Sequence, residues 1–97
     1  MPLESTITNN MIKYLNSLPH CIAEKVMGNA FQSNRPDING CCRGTSFRIE
    51  VKSPDHGNVV SKGQLLNIRA WRKAGCVAFV SDNLKEVKLR INEERCL

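Results

Sequence analysis

The chain has 97 residues, 41% of them apolar and 24% charged, the make-up of one ordinary globular domain. That excludes a disordered tail, a collagen-like chain and a coiled coil, and no apolar run approaches the ~18 residues of a membrane span. Fourteen Lys and Arg against nine Asp and Glu give a net charge of +5, which favours a polyanionic partner without identifying it. The opening Met1-Pro2-Leu3-Glu4 has neither the basic start nor the apolar stretch of a secretory signal, so a soluble cytoplasmic protein is expected. The cysteines, Cys21, Cys41, Cys42, Cys76 and Cys96, are odd in number and include no C-x-x-C pair. They are expected to be small, mostly buried thiols, neither zinc ligands nor disulfide staples.

Apolar residues at Ile7, Met11, Tyr14, Leu15 and Leu18 draw one stripe along a helix over residues 3–18, which Pro19 ends. Residues 20–27 read as a strand, broken by Gly28 and Asn29, and residues 30–36 as a polar loop. Two short strands follow over residues 37–42 and 45–52, joined by Arg43-Gly44. A two-residue connection with Gly second suits a tight hairpin, although Arg is unusual in the first place. The second of these strands alternates, with Phe47, Ile49 and Val51 on one face and Ser46, Arg48, Glu50 and Lys52 on the other. After a loop over residues 53–60, Ser61 and Gln64 form a capping box for a helix that Gly75 stops. Residues 76–81 are nearly all apolar, as in a strand covered on both faces. Asp82 or Asn83 caps a closing helix with Leu84, Val87, Leu89 and Ile91. The order is αβββαβα, an α/β sandwich on a small mixed sheet in a single domain over residues 1–97.

The hairpin has a derivable register. With Arg43 and Gly44 as the turn, Asp37 stands opposite Glu50 and Asn39 opposite Arg48. Ile38 then pairs with Ile49 and Gly40 with Phe47 on the core side, and a one-residue slip would turn every apolar side chain outward. Directly opposed carboxylates repel at a Cβ separation of about 5 Å. A divalent cation such as Mg²⁺, held by one or two carboxylates, offsets that repulsion. Lys52, two residues past Glu50, reaches the same space. Two acids, a cation and a lysine suit phosphodiester hydrolysis. A solvated strand face with one salt bridge is an equally good reading of the spacing.

Asn34-Arg35-Pro36-Asp37-Ile38 followed by Ile49-Glu50-Val51-Lys52 resembles the PD-(D/E)xK nuclease signature. Ser61-Lys62-Gly63-Gln64 and the helix ending Trp71-Arg72-Lys73-Ala74-Gly75 are similar to its VRR-NUC branch, which includes stand-alone phage proteins. The resemblance runs from Glu4 through the strand at residues 76–81. It implies a restriction-endonuclease-like αβββαβ core with a small mixed sheet flanked by helices. It further implies that Asp37, Glu50 and the Val51 carbonyl ligate Mg²⁺ or Mn²⁺, with Lys52 the catalytic lysine. Glu4 matches the family's N-terminal acid, which completes the site directly or through water; as an ordinary residue it is a favourable charge at a helix N-terminus. Gln64 matches the glutamine bordering the metal, a role that competes with the capping box for one side chain.

The activity implied is metal-dependent, structure-selective cleavage of DNA, with Holliday junction resolution first and flap or single-strand cleavage second. A catalytically inactive DNA-binding module is the reading from another class; RNA binding has no aromatic recognition motif behind it. A homodimer is expected, because one short chain carries one site and symmetric cutting of two strands needs two. Arg35, Lys62, Arg69 and Arg72 are candidate DNA contacts. Glu24 and Lys25 read as an edge salt bridge, His56 as a solvated loop residue, and Trp71 as core or interface.

Overall fold

Both central residues of the hairpin turn have positive φ, Arg43 at 49° and Gly44 at 88°, the primed geometry that matches strand twist. In the computed structural model, which describes residues 4–27, 35–52 and 60–93, this turn joins β2 (Ile38–Cys42) to β3 (Thr45–Val51). The pairing is the expected one, with Ile38 opposite Ile49, Asn39 opposite Arg48 and Gly40 opposite Phe47. The unusual Arg therefore accepts a left-handed backbone because the register requires it.

The remaining elements are α1 (Glu4–Ser17), β1 (Cys21–Lys25), α2 (Lys62–Lys73), β4 (Val77–Ser81) and α3 (Leu84–Glu93). The sheet runs β1-β2-β3-β4, antiparallel except for the parallel β3–β4 pair that α2 connects. It is the mixed sheet and element order that the sequence predicts, each element slightly shorter. Asn83, rather than Asp82, caps α3, its Oδ1 accepting from Glu86 N–H at 2.7 Å.

One face of the sheet carries the main core. Phe47, Ile49 and Val51 from β3, Ile38 from β2 and Phe79 from β4 meet Ile7, Met11 and Leu15 of α1 and Val87 and Ile91 of α3. α2 packs on β3 and β4, burying Ile68 with Ala78 on the opposite face. Gly40 belongs to this packing, since a Cβ there would overlap the Phe47 ring. At the β1 edge, Asn16 takes both backbone polar groups of Ala23, donating to its carbonyl at 3.1 Å and accepting its N–H at 2.8 Å. That covers part of an edge otherwise open to strand addition.

The cysteine expectation needs correcting. Cys21 and Cys42 are direct partners across β1 and β2, with Cα atoms 4.1 Å apart, and form a disulfide. Odd number and missing C-x-x-C spacing said nothing of this, because the pairing follows from sheet register. Cys41, on the other face, and Cys76 are free; Cys96 lies outside the described residues, as does His56. Among the described residues no helix is long and apolar enough to cross a membrane.

Candidate active site

Asp37 immediately precedes β2 and Glu50 ends one residue short of the β3 terminus, so the hairpin register carries them together. Asp37 Oδ2 accepts the Val51 N–H at 2.7 Å, tying its carboxyl to the partner strand. Its backbone carbonyl accepts from Val26 N–H at 2.8 Å, tying it to β1 as well. The two carboxyls are close enough to hydrogen-bond to each other. Such a contact requires one of them to hold a proton.

Glu50 is the acid pushed towards its protonated form. The residue is 3% exposed, and burial is the largest cause pushing its pKa up to about 8, followed by the hydrogen bond and charge of Asp37. Glu4, in the first turn of α1, pushes the same way, and Lys52 opposes it. Lys52 Nζ stands 3.8 Å from Glu50 Oε2 with its side chain 17% exposed. Its backbone N–H donates to Ser81 O at 3.0 Å, which fixes where the strand ends.

Gln64 joins the group from α2, and the capping box leaves its amide nitrogen free for a second contact. Its Oε1 accepts the Ser61 N–H at 3.0 Å, while its Nε2 donates to Glu50 Oε2 at 3.2 Å. Ser61 Oγ accepts the Gln64 N–H at 3.1 Å and closes the capping box. One side chain therefore caps the helix and holds the buried acid. The S-x-x-Q pattern was visible in the sequence; what the far end of the amide touches was not.

Glu4 acts on Glu50 through charge. Among the described residues no three of His, Cys, Asp and Glu gather into a metal-holding group. The donor set still suits a hard divalent ion, since two opposed carboxyls supply oxygen ligands and their mutual repulsion needs a cation. Val51 contributes its N–H to Asp37, and its side chain is wholly buried in the core.

Arg35, Lys62, Arg69 and Arg72 are all exposed, but Arg72 also has a structural duty, donating from Nε to Ala78 O at 2.6 Å. Trp71 is half-buried, its Nε1 donating to Asn67 Oδ1 at 3.0 Å and its ring covered by the Arg48 guanidinium at 4.1 Å.

Two solved structures are similar to this chain in fold over most of their length. One, described as a VRR_NUC domain, matches with a TM-score of 0.72 at 22% identity, covering 95% of this chain and 96% of that one. The other, a VRR_NUC domain protein, has a TM-score of 0.72 at 18% identity, covering 94% and 86%. The chain thus has the fold of VRR_NUC domains, the α/β architecture that the sequence resemblance implied. No protein-family model matches the sequence, and no curated protein does.

Proposed function

We propose that the chain is a metal-dependent DNA endonuclease of VRR-NUC type, a single domain over residues 1–97 that hydrolyses phosphodiester bonds. The observation that carries this reading is the meeting of Asp37, Glu50 and Lys52 beneath Gln64, on a fold shared with VRR_NUC domains. Mg²⁺ or Mn²⁺ would be held by Asp37, Glu50 and the Val51 carbonyl, with Glu4 acting through water or charge. Bound there, the ion supplies an acidified water and screens charge on the phosphate.

The chain's own residues do the rest. Asp37 is held in place by the Val51 N–H and so presents its carboxyl at a fixed position. Glu50 would serve such an ion as its carboxylate, its proton released to solvent. Gln64 keeps the Glu50 carboxyl oriented through that change, because its amide is anchored at the other end by Ser61. Lys52 offers its ammonium to the phosphate oxygens as negative charge grows on them.

The substrate is branched DNA, with the four-way junction first, cut by a homodimer whose two sites serve two strands. The supports are the family resemblance and the size of the chain. Labelled four-way junctions, flaps, splayed arms, single strands and linear duplex, incubated with Mg²⁺, Mn²⁺ and then chelator, test it alongside the solution mass. Paired nicks at the junction by a dimer are expected. Preference for flaps or single strands would move the assignment within the class, and binding without cleavage would make the chain a DNA-binding module.

A further inference from the structure

The sheet face on which α2 rests is covered unevenly. α2 packs on β3 and β4, while over β1 and β2 the surface is concave, a pocket of about 300 Å³ lined in part by Ile22, Glu24, Asn39, Ser46 and Arg48. Register fixes what it offers. Glu24 opposes Asn39 and Asn39 opposes Arg48, a row of carboxylate, amide and guanidinium across three strands. Two residues along, about 7 Å away on the same face, lies the row of Asp37 and Glu50.

Arg48 has bonding capacity left over. Its guanidinium lies over Trp71, and one terminal nitrogen donates to Ser46 Oγ at 3.0 Å and Phe47 O at 2.7 Å. Its Nε is buried with no hydrogen-bond partner. Buried donors without partners are rare and costly, and turning the guanidinium towards an acceptor on a bound ligand would relieve that cost.

We infer that this pocket receives an unpaired nucleobase of the DNA substrate, from a nucleotide flanking the phosphate at Asp37 and Glu50. The inference rests on the nuclease reading above. A phosphate is the wrong occupant, because Glu24 would repel it. A base suits the row better. Acceptor, amide and donor match the mixed pattern of a Watson–Crick edge, which is free only when the base is unpaired. Ile22, 67% exposed, supplies apolar surface for the ring. Such a pocket beside the acids selects DNA with an unpaired or extruded nucleotide next to the cut.

The ¹⁵N-labelled full chain, in chelator, titrated with each deoxynucleoside and separately with inorganic phosphate, tests the pocket without cleavage. Deoxynucleosides are expected to shift the Asn39 side-chain amide and Arg48 Nε signals while phosphate leaves them in place. Ile22→Ser, an exposed change that spares the core, should abolish those shifts, and Asn39→Ala should abolish the one at Arg48 Nε. In cleavage, an abasic site beside the scissile phosphate should lower kcat/KM by roughly tenfold in the wild type and hardly at all in Asn39→Ala. Shifts without any cleavage would sink the nuclease reading and leave the pocket standing. No shifts, with abasic and intact substrates cut equally, would overturn the pocket alone.

Discussion

Gln64 and Glu50 are joined by a hydrogen bond of 3.2 Å, and the direction of that bond is fixed from the other end of the amide by the Ser61 N–H. Because Oε1 must accept from Ser61, Nε2 must face Glu50. A helix cap thus determines which group the buried carboxyl meets.

Gln64→Glu separates the two duties. Glutamate also closes a capping box, so α2 should persist and circular dichroism should match the wild type. The new carboxylate faces Glu50, however, and cleavage should fall about 10–100-fold, the range for residues that orient metal ligands. Its activity should recover towards higher pH. Cleavage at the wild-type rate would mean that the Gln64–Glu50 contact has no part in the reaction.

Stability without divalent ions should depend on pH through Glu50. Its pKa in the folded chain is raised from 4.5 to about 8, so between those values the folded state holds a proton that the unfolded state has released. Stability therefore falls as pH rises through that window and levels off above it. Thermal melts in chelator should show Tm declining from pH 5 to 8.5, with a shallower decline in Glu50→Gln. Saturating Mg²⁺ should lift Tm most at the alkaline end, because a cation binds the deprotonated site. Equal pH profiles for wild type and Glu50→Gln would contradict the assignment.

The hairpin supplies a structural pair of tests. Gly40→Ala sets a methyl against the Phe47 ring in the packed core and should cost about 1–3 kcal/mol in urea unfolding. Arg43→Asn should do the opposite, stabilising by up to about 1 kcal/mol, since Asn tolerates the positive φ found there. Loss of stability in Arg43→Asn would argue against the primed turn and so against the register that joins Asp37 to Glu50.

Reduction of the Cys21–Cys42 disulfide, which spans 21 residues, should lower stability by roughly 2–4 kcal/mol on the loop-entropy account. Melts with and without reductant, with thiol counting by mass, decide it. Identical melts for the oxidised and reduced chains would show that sheet pairing alone holds β1.

The sequence carried the site further than it carried its surroundings. Alternation in residues 45–52 and the two-residue turn fix the register, and with it the meeting of Asp37 and Glu50, because one face had to be apolar. Lys52 follows from the same periodicity. The disulfide was missed because Cys21 reaches Cys42 only through the β1–β2 register, a non-local pairing that no spacing announces. The double duty of Gln64 was missed for a related reason: its capping partner lies three residues away, but its other partner, Glu50, comes from a different layer of the fold. The stacking of Arg48 on Trp71 likewise depends on how α2 lies across β3.

Single-turnover cleavage of a four-way junction at saturating Mg²⁺, by the wild type, Asp37→Asn and Lys52→Ala, with binding measured on the same DNA, decides whether Asp37 and Lys52 carry the chemistry. Both substitutions should lower the rate by at least about 100-fold, the scale expected for removing an electrostatic catalytic group, while affinity stays within a few-fold. Cleavage by either variant at the wild-type rate would contradict that assignment.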